Sequence, residues 1–344
     1  MATEITLHHG LGKGDFRQRF YARCEEWIAK NQVLEESKHP SSVLLVEEDR
    51  AETKPAVPDH EIYGFNNEIK SLEDFLLDQK VYREFMSLVI VGEYGVGKTA
   101  LCQMIFNNEN VKTTYAPRIW ISMHSNESKE GVDGKIYVLK KILKGLGVEG
   151  DVFESIHREA EEEAANSQEA GEIDGETGKE KELSALLYAL HLDLRWKKYL
   201  IVFDDVREED HWNEMLQEGE VRLKKDDKWG KYLSDGFPKG SGGRVIYTTR
   251  DQILAKKLVA EKHEIHRLWP LSDPHSLWRI YDAEVTKQNK YPPSKDKKCV
   301  DELMNKSRGL PLAVRLMATL KPVYLDDELY PEDNATYPLN TSGY

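Results

Sequence analysis

Positive charge is in short supply in this sequence. Lys and Arg number 48 against 61 Asp and Glu, leaving a formal net charge of −13. A surface of that sign repels phosphate backbones, so general nucleic-acid binding is not expected, and no run of Lys and Arg announces a local basic patch. Cysteine is scarcer still. Cys24, Cys102 and Cys299 form an odd, sparse set without metal-ligand spacing, which suits small buried residues in a reducing compartment better than a disulfide framework. No apolar run approaches the ~20 residues of a membrane-spanning helix. The start, Met-Ala-Thr-Glu-Ile-Thr-Leu-His-His, lacks both the charged and the apolar region of a secretory signal. Ala at position 2 removes N-myristoylation. The expectation is a cytoplasmic protein with no membrane span.

What is present is a chain of 344 residues, long enough for two or three domains of ordinary size and a sizeable core. Residues 1–36 read as a short N-terminal helical segment, with Phe16, Phe20, Cys24 and Trp27 at helical spacing. A linker rich in Glu, Pro and Ser follows over 37–60. Over 61–270 short apolar runs alternate with helical patterns: Met86–Val91, Arg118–Met123, Tyr199–Phe203, Arg244–Thr248 and a weaker run near Ile265–Leu268. Such alternation predicts an α/β fold with an open, mostly parallel sheet flanked by helices. Residues 159–182 hold ten acidic residues against two Lys, −8 of the net −13, and Ile173 is their one large apolar residue. They are therefore expected to form an acidic disordered insertion whose removal costs little stability. From 271 to 322 the pattern is wholly helical and predicts a small all-α module, and 323–344 is expected to be a disordered tail.

Three motifs carry chemistry. Gly92-Glu93-Tyr94-Gly95-Val96-Gly97-Lys98-Thr99 matches G-x-x-x-x-G-K-[ST] and stands between a predicted strand and a predicted helix, the context that gives the pattern its meaning. Its glycines let the backbone curl so that successive N–H groups, those of Gly95, Val96, Gly97 and Ala100 among them, point at phosphate oxygens. Lys98 is expected to reach the β- and γ-phosphates, and the Thr99 hydroxyl to ligate Mg²⁺. Leu200-Ile201-Val202-Phe203-Asp204-Asp205 is an apolar strand ending in two carboxylates. A buried parallel strand delivers its last residues to the sheet edge where ligands bind, so Asp204 is expected to hold the hydrated metal and Asp205 to polarise an attacking water. Tyr247-Thr248-Thr249-Arg250 ends the next strand at the same edge, where Arg250 can touch a γ-phosphate.

In this order the motifs resemble the NB-ARC nucleotide-binding module of plant disease-resistance proteins and their animal apoptotic relatives. The resemblance covers roughly residues 60–322. It rests on Ile62-Tyr63-Gly64-Phe65, the P-loop, Arg118-Ile119-Trp120-Ile121-Ser122, Asp204-Asp205-Val206, Gly243–Arg250, Leu268–Trp278 and Gly309-Leu310-Pro311-Leu312-Ala313. It implies ATP or ADP with Mg²⁺ as the bound group and a small helical module of the ARC1 kind after the nucleotide-binding domain. It further implies that Pro311 packs on the adenine, that Tyr63 lies near the base, and that Arg250 senses the γ-phosphate. The chain departs from the family at Tyr94 (usually Gly), at Ala100 (often Thr) and at Arg207 (usually Trp). After Leu320 only 24 residues remain, too few for the family's winged-helix module, so ADP is expected to leave faster than from a full-length relative. The function implied is a regulator or partner of full-length receptors in plant immune signalling, with other immune receptor or signalling proteins as partners. Because Lys98, Thr99, Asp204 and Asp205 keep slow hydrolysis chemically possible, two alternatives stand: a constitutive P-loop ATPase, or a nucleotide-stabilised interaction scaffold.

Overall fold

The computed structural model describes residues 52–57, 61–78, 85–123, 131–169, 177–207, 230, 232–259, 264–289, 292, 295 and 297–319. The expected N-terminal helical segment 1–36 and the tail 323–344 lie outside them, as does the linker 37–60 apart from 52–57. The described residues fold as two compact units. The first takes in 52–57, 69–92 and 98–267, and the second 61–68, 93–97 and 268–319.

The first unit is built on strands β1 (Met86–Val91), β2 (Arg118–Ser122), β3 (Leu200–Asp204), β4 (Arg244–Thr249) and β5 (Ile265–Arg267). Their order is β2-β3-β4-β1-β5, and every neighbouring pair is parallel. All five residues of β3 and all six of β4 are buried. That explains why these strands read as continuous apolar runs instead of alternating: a parallel sheet covered on both faces has no solvent side. Val89, Val91, Ile119, Ile121, Ile201, Phe203, Val245 and Tyr247 form one core cluster with apolar residues of the helices α4 (Gly131–Gly145), α5 (Gly150–Glu169), α6 (Gly178–Leu194) and α7 (Gln252–Lys257). Helix α1 (Asn66–Leu77) contributes buried Leu72 and Leu76. Leu101, Cys102 and Ile105 are buried on α2 (Lys98–Phe106), and Val111 on α3 (Glu109–Thr114).

Local chemistry starts several of these helices. The Asn108 side chain accepts from the Asn110 and Val111 amides ahead of α3, and Asp251 does the same for Ile253 and Leu254 ahead of α7. Thr177 and Glu180 form a capping box at the start of α6, satisfying two amide donors that the first turn leaves without partners.

The expected disordered insertion at 159–182 is corrected by the structure. Residues 159–169 complete α5, and 178–182 open α6; residues 170–176 are outside the described set. The physical reason lies upstream of the acidic stretch. Phe153, Ile156, Ala160 and Ala164 are all buried and fall on one helical face, so two alanines extend a stripe that begins before the charges do. The charges are partly matched as well: Glu182 pairs with Lys140 at 2.6 Å and with His157 at 2.8 Å. Deleting 160–181 should therefore lower the melting temperature by at least ~2–4 °C, the shift that about 1 kcal/mol produces in a domain of this size. A thermal scan of the deletion variant checks this.

The second unit gathers α8 (Pro274–Lys287), α9 (Lys297–Ser307) and α10 (Pro311–Thr319). Asp273 caps α8 by accepting from the His275 and Ser276 amides, with Pro274 in the first turn, where a missing N–H costs nothing. Leu277, Trp278, Tyr281 and Val285 of α8 are buried, as are Cys299 and Leu303 of α9 and Val314 and Ala318 of α10. Among the described residues no helix is long and apolar enough to cross a membrane.

Candidate nucleotide site

In the first unit, the strand order brings the ends of β3, β4 and β1 side by side. Val91 pairs with Thr249, Phe203 with Tyr247, and Ser122 with Asp204. Three motifs far apart in sequence thereby reach one edge of the sheet. The Gly92 amide donates to the Thr249 carbonyl at 3.3 Å, tying the start of the Gly-rich loop to the end of β4.

Asp204 is fully buried at the end of β3 and is the hub of a cluster of hydroxyls. Thr99 Oγ1 donates to its carboxylate, 3.0 and 3.1 Å from the two oxygens, and Thr248 Oγ1 donates at 2.6 Å. The Asp205 amide donates to Thr248 Oγ1 at 2.8 Å, which leaves the threonine proton for Asp204. Burial pushes the Asp204 carboxyl above its ordinary value, although the hydroxyls pull the other way. Lys98 opens α2 with 8% of its surface exposed, and its Nζ donates to the Gly92 carbonyl at 2.9 Å. Its ammonium is pushed below the ordinary range, first by burial and then by the charge of Arg250. A buried carboxylate and a buried ammonium, each driven toward neutrality, suit a site completed by a cation and an anion together.

Asp205 stands just beyond the strand with φ of 61°. That left-handed conformation is one Asp tolerates better than most residues, because its short polar side chain bonds locally. Its carboxylate faces two guanidiniums, Arg250 at 3.5 Å and Arg207 at 3.3 Å. Ala100 follows Thr99 in the first turn of α2.

The remaining predicted residues belong to the second unit. Gly95 and Gly97 have φ of 78° and 107°. A Cβ at Gly95 would come within 2.8 Å of Leu312, and one at Gly97 within 2.8 Å of Phe65, so the backbone conformation and the close approach both call for glycine. Val96 is fully buried between them, and Tyr94 is 64% exposed. The Leu312 amide donates to the Gly95 carbonyl at 3.2 Å, which brings Pro311, the first residue of α10, next to the loop. Tyr63 donates to Glu61 and carries the Arg279 guanidinium 4.2 Å from its ring centre.

Sequence reasoning passed over Thr248 and Arg207. Thr248 lies inside the Thr-Thr-Arg strand end that singled out Arg250, and a parallel neighbour of an Asp-ended strand is where a hydroxyl partner belongs. Arg207 is visible in the sequence only as a departure, and its pairing with Asp205 needed the turn that follows β3.

Among the described residues no three His, Cys, Asp or Glu side chains gather as metal ligands. A divalent cation near Asp204 would have Thr99 and that carboxylate as protein ligands and take the rest from phosphate and water. Magnesium is ordinarily held in this way beside nucleotides.

A wholly parallel sheet with flanking helices, a Gly-rich Lys-Thr loop after its first strand and a small helical module after its last defines a P-loop NTPase fold. Within that class, the family model of the NB-ARC domain matches residues 65–291, well over half of the chain. The chain belongs to the NB-ARC family. It is 67% identical over 317 residues to Probable disease resistance protein At5g45440 of Arabidopsis thaliana, covering 92% of this chain and 88% of that one. It is 65% identical over 331 residues to Probable disease resistance protein At5g45490 of the same plant, covering 94% and 93%. Disease resistance RPP13-like protein 4, also from Arabidopsis thaliana, is 25% identical over 80% of this chain but only 26% of its own length.

Proposed function

We propose that this protein binds ADP or ATP with Mg²⁺ and acts in plant disease-resistance signalling, as a regulator or partner of full-length receptors. The observation that carries the nucleotide reading is the cluster at the sheet edge: Thr99 bonded to buried Asp204, with Lys98 on the same turn of α2. In this reading the loop amides and Lys98 grip the phosphates, Thr99 and Asp204 hold the cation, and Arg250 lies within reach of a γ-phosphate. Bound magnesium, held by Thr99 and Asp204, would neutralise phosphate charge. The roles of Tyr63 and Pro311 toward the base rest on the family resemblance alone. The signalling role is supported by what the relatives are called.

The pairing of Asp205 with Arg250 and Arg207 favours a nucleotide-held switch over a constitutive ATPase. A carboxylate held between two guanidiniums must turn from a partner before it can polarise water. Denaturing the purified protein and identifying the released nucleotide by chromatography tests the reading. ADP or ATP near one per chain is expected, and a protein that carries none and binds none when offered it would overturn the proposal.

Two substitutions separate binding from chemistry. Asp205→Asn should leave Mg·ATP affinity nearly intact while lowering whatever hydrolysis occurs, because water activation acts on the transition state and not on the bound ground state. Asp204→Asn should instead shrink the gain in affinity that Mg²⁺ provides. Titrations of both variants with and without EDTA, beside a phosphate-release assay, check the pair. Parent-like behaviour of both would remove the Asp-Asp strand end from the phosphates.

A further inference from the structure

Residues 52–57, read from sequence as the end of a linker, contain no helix or strand, and none of them is buried. Side chains of the first unit nevertheless hold them in place. The Thr53 amide donates to Ser122 Oγ at 3.3 Å, and Trp120 Nε1 donates to Thr53 Oγ1 at 3.2 Å. Gln103 Nε2 donates to the Lys54 carbonyl at 2.7 Å, and Asn107 Nδ2 to the Pro55 carbonyl at 2.6 Å. Glu52 forms an ion pair with Lys141. The Thr53 amide and the Lys54 and Pro55 carbonyls are main-chain atoms, so α2, β2 and α4 together present a surface that reads the backbone of an irregular segment. Two of the gripping residues share a stripe with a site residue. The Asn107 amide donates to the Gln103 carbonyl at 3.1 Å, which carries the helical pattern one residue past α2. Thr99, Gln103 and Asn107, four residues apart, therefore lie along one face. The Asn107 side chain also donates to the Gln103 carbonyl at 2.8 Å, so both of its protons are placed and its orientation toward Pro55 is fixed.

Resting on the nucleotide reading above, we propose that residues 52–55 are a latch on α2. Nucleotide tightens the latch, and the closed latch tightens nucleotide. Its docking surface is made by Gln103, Asn107, Trp120, Ser122 and Lys141. The first support is the kind of hold. Lys54, Pro55, Ala56 and Val57 are exposed, so the latch buries no apolar side chain of its own. Segments held by exposed polar contacts open at the low end of a protein's range of local stabilities. The second support is what is held. Helix α2 starts with Lys98 and Thr99, whose hydroxyl donates to Asp204, and its far end carries the donors to Lys54 and Pro55. Phosphate and cation at one end and the latch at the other fix the same nine-residue helix. Whichever binds first bears the cost of ordering it, and the second then binds more tightly. The coupling runs along α2 and requires no contact between the latch and the ligand.

The experiment measures hydrogen exchange across residues 52–57 of the full chain, with and without Mg·ADP, beside titration with fluorescently labelled ADP. Saturating Mg·ADP should slow exchange of the Thr53 amide about fivefold or more, the lower end of ordinary coupling between two sites. Coupling is reciprocal, so a chain with its latch open should bind Mg·ADP more weakly by about the same factor. Glu52→Lys combined with Thr53→Pro opens the latch from its own side. It reverses the ion pair and removes the amide and the hydroxyl, leaving α2 and the Gly-rich loop untouched. Gln103→Ala combined with Asn107→Ala opens it from the docking surface. Both pairs should bring the remaining amides of 52–57 close to the free-chain exchange rate, keep the parent's far-ultraviolet circular dichroism and weaken ADP binding. Either pair answers the question if the other fails to fold. A parent Thr53 amide that exchanges at the free-chain rate overturns the proposal, and so does one that Mg·ADP leaves unchanged or speeds up. Parent-like ADP affinity in a chain whose latch is open overturns it too, as does a latch that stays protected in both variants. These failures leave the nucleotide reading standing. A parent protein that binds no labelled ADP under any condition overturns both.

Discussion

Lys98→Ala is expected to weaken binding of both ADP and ATP by one to two decades. An ammonium that donates to phosphate oxygens in a partly dry site contributes ~1.5–3 kcal/mol as charge-assisted hydrogen bonds, and every 1.4 kcal/mol is about tenfold in affinity. The structure adds a control that the sequence could not supply. Burial pushes the Lys98 ammonium below its ordinary range, so keeping that charge folded is unfavourable before any anion arrives. Removing it should leave the melting temperature of the nucleotide-free protein unchanged or slightly raised. A loss of affinity without a loss of stability therefore reports phosphate contact, where a misfolded variant would lose both. Lys98→Arg should also bind poorly, because the wider guanidinium must fit where Lys98 is 8% exposed and bonded to the Gly92 carbonyl. Equal affinity of parent and Ala variant for both nucleotides would detach the loop from phosphate binding.

Phe203→Ala is expected to destabilise the first unit by ~3–5 kcal/mol, the usual cost of emptying a buried aromatic site. Phe203 is fully buried on β3, and its ring stacks on that of Tyr247 in β4 at 5.3 Å. The strands on either side of β3 limit how far the hole can collapse. The position also has a functional consequence, because Phe203 immediately precedes Asp204. Phe203→Leu, which keeps most of the volume, should cost much less stability and retain the Mg²⁺ dependence of nucleotide binding. Urea unfolding followed by far-ultraviolet circular dichroism reads the first effect, and nucleotide titration reads the second. A midpoint shift worth less than ~1 kcal/mol for Phe203→Ala would mean that the two central strands do not pack as described.

The acidic stretch is helical for a reason that lies outside it. Within 159–182 the charge density is high and Ile173 is the one large apolar side chain. Helix α5 is stabilised by a face that starts at Phe153 and Ile156 and continues through Ala160 and Ala164. Alanine adds little to a hydropathy sum yet lets two helices approach closely, and the pairing of Glu182 with Lys140 and His157 is invisible until the helices are docked. Composition gave the right charge and the wrong order for this segment.

By itself the sequence determined the strands, the Gly-rich loop and the order of the motifs along the chain. The apolar runs before Gly92 and Asp204 are short, rich in Val and Ile and bounded by turn or acidic residues, which favours strands buried on both faces over helices. The Gly-x-Gly-Lys-Thr spacing had to leave a curled backbone ahead of a helix. Only the tertiary structure decided which of these pieces meet. The order β2-β3-β4-β1-β5 sets β4 against β3, so that Thr248 bonds to Asp204 and Arg250 faces Asp205 across a separation of more than forty residues. The same folding lays Thr53 beside Trp120 and Ser122, a contact that no periodicity or motif announces. Hydrogen-bond partners are chosen by register and by the direction of the chain at a turn, and neither is written in the local preferences of the residues that end up bonded.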